Sequence, residues 1–370
     1  MPFQVSTKLS NCASIKEFFE TWQVGSSDLM ITNEYVIAPA LGGAALPCDV
    51  LYQEKFGTGE PTDEMIDKML AAASGKKYDR IIGIGGGSVV DIAKLFVFGE
   101  GMGCVEIFDK GATIEKKRKL VIVPTTCGTG SEVTMISIVR FEQLNTKKGL
   151  AVPALYPDES VLIPSLLLTQ PYEVFAASSI DALIHSVESY VSPKATPFSR
   201  AMARDSIERI ICGYKSLRAR GDKKLPGSEE MYSFLVASTM GGISFGNAGV
   251  GAVHALSYPV GAIYHVPHGK ANYMFFGAVF AAYKRYGANM AELESVLSNT
   301  LDCGCNDTWG CLFELIDFVL PRQKLSTLGA TAENCKEMAA SVIKNQQRLL
   351  VNNPTPLTEE QVEQIYLECM

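Results

Sequence analysis

Apolar residues in the first 165 positions come in short runs separated by longer mixed stretches. LMIT (29–32), DVLYQ (49–53), RIIGI (80–84) and LVIVP (120–124) are bounded by glycine, proline or charge. Runs this short and this apolar predict strands covered on both faces. Between them the spacing becomes helical. PTDEMIDKMLAAASG (61–75) opens on Pro61, carries Asp63 and Glu64 in its first turn and closes at Gly75. Met65, Ile66, Met69, Leu70 and Ala73 form its apolar stripe, so the segment predicts a helix with one buried face. Alternating strands and helices predict a doubly wound, mostly parallel α/β sheet.

Past residue 165 strand patterns become scarce. YEVFAASSIDALIHSVESYV (172–191), SRAMARDSIERIICGYKSL (199–217), the stretch 230–240 and the chain from Leu312 onward repeat with helical period. FFGAVFAAY (275–283) suits a buried helix. The expected organisation is an α/β domain over 1–165 and an all-α domain over 166–370, with the boundary between 164 and 171. The chain shows no internal repeat and no low-complexity segment.

Composition narrows the function. The chain has 370 residues, 47% apolar and 20% charged, enough for two folded domains. A net charge of −7 argues against nucleic acid or an anionic membrane as partner, since both reward a basic surface. Two small basic patches remain, Lys116, Lys117, Arg118 and Lys119, and Lys147 and Lys148; the first reads as solvated loop charges. MPFQVSTKLSNC lacks the pattern of a signal peptide, and no apolar run reaches the roughly 18 residues of a membrane span. The ten cysteines are scattered. A cytoplasmic protein with reduced thiols is expected. Cys303, Cys305 and Cys311 lack a second ligand pair and read as loop or core thiols rather than a metal site.

IIGIGGGSVVDIAK (81–94) is a strand, a glycine turn and a helix. Such a turn exposes backbone N–H groups beside the positive end of a helix dipole, which is a cradle for phosphate. It meets neither G-x-G-x-x-G, because Ser88 occupies the third glycine, nor the Walker pattern. A tight strand-to-helix turn would look the same. The second loop, VPTTCGTGSEVT (123–134), also follows a strand and adds hydroxyls from Thr125, Thr126, Thr129 and Ser131. Two such loops at strand ends suit a ligand with a pyrophosphate and riboses.

Three of the four histidines, His254, His265 and His268, lie in GVGAVHALSYPVGAIYHVPHG (249–269). The fourth, His185, follows Asp181 by one helical turn, so the two share a face. Pro259, Gly261 and Pro267 put His254 and His268 on different elements, free to face each other. A single histidine is more often a core residue than a ligand. A carboxylate with three imidazoles is a nitrogen–oxygen set suited to Fe(II), Zn(II) or Mn(II), and it suggests catalysis more than a structural zinc.

The order GGGSVVDIAK, PTTCGTGSEVT, DALIH, HALSYPVGAIYHVPHG resembles the iron-containing (group III) alcohol dehydrogenase family over most of the chain, most densely from 81 to 270. The resemblance implies a dinucleotide-binding domain, a helical metal-binding domain and an active site in the cleft between them. Asp181, His185, His254 and His268 match the metal ligands. Gly85, Gly86, Gly87, Ser88 and Asp91 match the pyrophosphate loop, and Thr125, Thr126 and Ser131 match the loop at the phosphate and nicotinamide end. The implied activity is reversible hydride transfer between a primary alcohol and NAD, with the metal binding the substrate oxygen. Fe(II) is expected, with Zn(II) or Mn(II) as alternatives.

Two positions depart from the family. Where many members carry a second histidine, in H-x-x-x-H-P, this chain has Tyr258. Tyr258 or His265 then assists proton exchange, or the proton leaves by water. Where the strand at 29–33 often ends in Asp, this chain has Asn33, which leaves NADP as an alternative to NAD. ESYVSPKATPFSR and HGKANY are similar to the family's 4-hydroxybutyrate dehydrogenases, and Lys270 offers an ammonium for a distal carboxylate. The expected substrate is thus a small alcohol or aldehyde, 4-hydroxybutyrate and succinate semialdehyde in particular. The alternatives are another short-chain alcohol or diol dehydrogenase, a dehydroquinate-synthase-like lyase, or a non-catalytic nucleotide- or metal-binding protein. A homo-oligomer is compatible with all of these.

Overall fold

The computed structural model describes residues 3–99, 101–144, 146–304 and 307–370. Cys305 therefore lies outside the described residues. The strands are β1 (Lys8–Asn11), β2 (Asp28–Thr32), β3 (Asp49–Tyr52), β4 (Arg80–Gly85), β5 (Lys119–Pro124), β6 (Ile136–Phe141), β7 (Thr146–Ala151) and β8 (Glu159–Leu162). The helices of the first part are α1 (Ile15–Thr21), α2 (Glu34–Leu41), α3 (Asp63–Ala72), α4 (Gly87–Leu95) and α5 (Cys104–Lys110). Those of the second are α6 (Tyr172–Val191), α7 (Pro197–Arg220), α8 (Ser228–Ala248), α9 (Ala252–Tyr264), α10 (His268–Arg285), α11 (Ala291–Leu301), α12 (Thr308–Val319), α13 (Ala332–Asn345), α14 (Gln347–Leu350) and α15 (Glu359–Glu368).

The chain divides into two compact units. One holds Val5–Gln170 with Gly227–Leu235, and the other holds Pro171–Pro226 and Val236–Met370 with Phe3 and Gln4. In the first, six parallel strands pair in the order β1-β8-β5-β4-β2-β3, and β6 and β7 form a separate antiparallel hairpin. All five positions of β2 are buried, as are Ile81, Ile82 and Ile84 of β4, because helices cover both faces of a parallel sheet. Leu29, Ile66, Ile81, Val90, Ile92 and Phe96 belong to one apolar core.

The helix expected from Pro61 begins later, at Asp63. Thr62 is its N-cap and accepts from the Met65 N–H at 3.1 Å, leaving Pro61 outside the helix. From β2 the chain moves outward to β3, and from β4 it moves the opposite way, to β5 and β8. The order thus reverses between β2 and β4. In open α/β sheets ligands settle outside the strand ends at such a reversal. The glycine turn leaves β4 there, and Asn33 leaves β2.

In the second unit α6 is buried over almost its whole length and lies against α7 and α10. Its polar residues are matched inside the helix layer. Ser186 Oγ lies 2.8 Å from the Ala182 carbonyl oxygen and 2.7 Å from Ser206 Oγ, and Ser189 Oγ lies 2.7 Å from Ser244 Oγ. Pro259 sits inside α9 rather than ending it. The break between His254 and His268 falls at His265, in the left-handed conformation (φ 55°), and at Pro267, the N-cap of α10. Among the described residues no helix is long and apolar enough to cross a membrane.

Candidate metal centre

Asp181 and His185 project from α6, His254 from the first turn of α9, and His268 from the first position of α10. The structure brings all four together: one ligand atom from each lies within 4.8 Å of the others. From Asp181, His185 Nδ1 is 3.9 Å away, His254 Nε2 3.6 Å and His268 Nε2 3.8 Å. Ligand atoms about 2.1 Å from a shared cation lie roughly 3–4 Å from one another, so the spacing fits a divalent ion. Asp181, His185 and His254 are buried, and His268 is half-buried.

The surroundings support the same assignment. His254 Nδ1 lies 2.6 Å from Glu188 Oε2, and Glu188 Oε1 accepts from the Val253 N–H at 2.7 Å. A carboxylate only accepts, so Nδ1 carries a proton in either charge state, and Nε2 is the nitrogen that can offer a lone pair to a cation. That Nε2 is buried without a hydrogen bond, an arrangement costly in itself and natural for a metal ligand. His185 stacks between Phe245 (4.4 Å) and His254 (4.5 Å), which fixes its ring plane. Asn272 Nδ2 donates to Asp181 Oδ1 at 2.6 Å and lies 3.2 Å from His268 Nε2.

Gly269 lets α10 start this close to α6. A Cβ there would come within 2.1 Å of the Ala177 carbonyl oxygen. Burial by itself would raise the Asp181 carboxyl, but the imidazoles of His185, His268 and His254 override it and hold the group well below the usual carboxylate range. Burial would lower His254, yet its contacts with Asp181 and Glu188 push it up to about 9. Sequence reasoning missed Glu188, Asn272 and Phe245. Glu188 stands seven residues after Asp181, on the same helix face, and Asn272 stands four after His268, so helical spacing was the available signal.

The other candidate residues take varied positions. Tyr258 is half-buried, its ring 6.0 Å from that of His268. His265 is exposed at the end of α9. Lys270 Nζ pairs with Glu173 at 2.9 Å, so its ammonium already has a carboxylate partner.

The glycine turn and the second loop leave β4 and β5 at the same level, with Gly85 opposite Pro124. The Thr125 N–H donates to the Gly85 carbonyl at 3.0 Å. A Cβ at Gly87 would come within 2.7 Å of Thr129 Cγ2, so the two loops touch. Gly86 is the N-cap of α4, and Ser88 and Thr126 are half-buried beside it. Ser131 Oγ donates to Asp91 Oδ1 at 2.7 Å, which turns both side chains into the protein. Asn33 Nδ2 donates to Glu54 Oε2 at 2.9 Å, and the Glu34 N–H donates to Glu54 Oε1 at 2.6 Å. The carboxylate at this strand end is therefore Glu54, from the segment after β3. Among the described residues every cysteine is a thiol.

Comparison with known proteins gives one consistent picture. Residues 23–164 match the family model for iron-containing alcohol dehydrogenase, and residues 175–370 match the C-terminal model of the Fe-containing alcohol dehydrogenase family. The chain is 41% identical over 353 residues to the 4-hydroxybutyrate dehydrogenase of Clostridium kluyveri, covering 95% of each. The iron-containing alcohol dehydrogenase of Thermococcus thioreducens superposes with a TM-score of 0.84 at 25% identity, over 100% of this chain and 99% of that one. The sulfoacetaldehyde reductase of Bifidobacterium kashiwanohense, solved in complex with NAD+, superposes at 0.85 with 18% identity, over 100% and 98%.

Proposed function

The chain belongs to the iron-containing alcohol dehydrogenase family, and from that premise we propose that it interconverts 4-hydroxybutyrate and succinate semialdehyde with NAD and a divalent cation, Fe(II) in first place. The observation that carries this reading is the convergence of Asp181, His185, His254 and His268 on one point. When bound, the cation supplies Lewis acidity toward the substrate oxygen and the nicotinamide supplies the hydride acceptor.

The chain's own residues do the rest. Glu188 keeps the proton of His254 on Nδ1, so that Nε2 stays a ligand. The glycine turn and the N-terminus of α4 offer N–H groups to a diphosphate, and Thr126 and Thr129, half-buried on the second loop, add hydroxyls. Tyr258, beside His268, is the better placed of the two candidates for passing the alcohol proton to water, because His265 is exposed at a helix end. Glu54 accepts readily from ribose hydroxyls and repels a 2′-phosphate, which favours NAD over NADP.

Two things support 4-hydroxybutyrate: the similarity to the Clostridium kluyveri enzyme over nearly the whole chain and the ammonium of Lys270. One observation favours a neutral primary alcohol or diol instead. Glu173 already pairs with Lys270, and a substrate carboxylate would have to displace it.

The deciding experiment is anaerobic reconstitution with Fe(II), Zn(II) or Mn(II), followed by assays of 4-hydroxybutyrate and 1-butanol with NAD and NADP. The expected result is NADH formation with kcat/KM for 4-hydroxybutyrate about tenfold or more above that for butanol, the discrimination one satisfied charged contact provides. Equal values would leave only a general alcohol dehydrogenase, and no NADH from any alcohol would refute the reading.

A further inference from the structure

Helix α4 carries two charged side chains that the proposed reaction does not touch. Lys94 is fully buried, 0% exposed. Its ammonium donates to Ser131 Oγ at 2.7 Å, Thr134 Oγ1 at 3.2 Å and the Ile136 carbonyl at 2.6 Å. An ammonium has three protons, and these acceptors use them all. Nearly one turn earlier, Asp91 accepts from Ser131 Oγ at 2.7 Å and from the Ile138 N–H at 3.0 Å. Its main-chain carbonyl accepts from Ser137 Oγ at 2.9 Å. Ser131 thus receives a proton from Lys94 and gives its own to Asp91.

All these partners fall between residues 131 and 138, where the second loop ends and β6 begins. At its other end the same loop is held against the glycine turn, through the Thr125 N–H on the Gly85 carbonyl and the close approach of Gly87 to Thr129. The loop is therefore fixed to the β4–α4 segment front and rear. Burying an ammonium and a carboxylate in this way is a poor source of stability, because desolvation offsets what their hydrogen bonds gain. What it provides is direction: hydrogen bonds of defined geometry between a helix and a segment about 40 residues further along.

We propose that Asp91 and Lys94 are positioning residues that hold the 125–131 loop, through Ser131, at the separation from the glycine turn that a nucleotide diphosphate requires. Asp91 and Ser131, which the family resemblance groups with the cofactor contacts, then act through the loop. The proposal rests on the dehydrogenase reading for the identity of the ligand, and on hydrogen bonding alone for the role of the pair.

The test compares wild type with Lys94→Met and with Asp91→Asn, the milder change serving if Lys94→Met does not fold. A core variant of the same unit, Ile66→Val or Ile66→Ala, whichever matches the loss in Tm, controls for general loosening. NADH affinity is read by fluorescence titration, amide exchange over 125–131 by mass spectrometry, and metal content by elemental analysis. The expected result is an NADH Kd raised about tenfold or more with metal content unchanged, and loop amides exchanging about tenfold faster, while the control moves neither. Kd and exchange both within about twofold of wild type, faster exchange with unaltered NADH affinity, or a control that reproduces both effects would overturn the proposal. If wild type binds no nicotinamide nucleotide, the dehydrogenase reading fails, and the exchange comparison still decides whether the pair holds the loop.

Discussion

Glu188→Gln is the sharpest single perturbation of the metal centre. The variant keeps the volume of the side chain and removes only its charge and one acceptor. Glu188 now uses both oxygens, Oε2 for His254 Nδ1 at 2.6 Å and Oε1 for the Val253 N–H at 2.7 Å. An amide has one oxygen. If that oxygen stays with Val253, the amide NH2 faces Nδ1, and the imidazole must move its proton to Nε2, where the lone pair is needed. If the oxygen goes to His254 instead, the NH2 opposes the Val253 N–H, and a buried donor goes unsatisfied at a cost of about 1–3 kcal/mol. The first arrangement loses the ligand tautomer, and both lose the negative charge that raises the basicity of the imidazole, so binding weakens. Loss of a carboxylate behind a ligating histidine costs roughly 10–100-fold in metal affinity, about 1.4–2.7 kcal/mol. Competition with a chelating dye, using Zn(II) or Mn(II) at neutral pH, measures this directly, and thermal melts of the metal-free proteins separate it from unfolding. A folded Glu188→Gln variant that binds metal within about twofold of wild type would refute the argument, because the His254 tautomer would then be set by something else.

Three further outcomes are expected. Lys270→Met should raise KM for 4-hydroxybutyrate about tenfold, as loss of one charge-assisted contact does, and leave KM for butanol unchanged; equal effects on both would remove Lys270 from substrate binding. Glu54→Gln should narrow the preference for NAD over NADP by roughly 30-fold, the order of 2 kcal/mol that a like charge contributes near a protein surface, and a ratio that does not move would mean Glu54 faces no ribose. The pH dependence should reverse with metal. In chelator-treated protein His254 is raised from 6.5 to about 9, so its contribution to stability is complete below pH 6.5 and is lost as pH rises through 9. Metal-loaded protein should instead bind its ion more tightly as pH rises, because the ligands must shed protons. Melting curves across that range with and without Mn(II) read both slopes, and a metal-free protein whose stability does not fall with pH would count against the His254–Glu188 contact.

The residues that bear the chemistry were legible because their spacing is local. Asp181 and His185 share a helix face by arithmetic alone, and the apolar runs of β2, β3, β4 and β5 announce a covered sheet. The missed elements owe their form to distant partners. Lys8–Asn11, largely exposed, is a strand because it pairs with β8, whose Glu159 stands opposite Lys8. The hairpin of β6 and β7 alternates buried and half-buried positions on one strand and has only one buried position on the other, so neither strand has the uniform apolar run of the central sheet. The same division holds at the centre itself. Glu188 is one of several polar residues on α6, and only the arrival of α9 makes it the acceptor for His254. Lys94 would read from sequence as an ordinary solvent-facing lysine at the end of a helix, and only the 131–138 segment buries it. Spacing along the chain therefore identifies groups that could bind, whereas the groups that aim them are defined by a partner dozens of residues away. For that reason the consequential tests fall on Glu188, Asp91 and Lys94. Replacing a metal ligand abolishes binding whatever holds it in place, but replacing a residue that only orients one separates the geometry of the site from its composition.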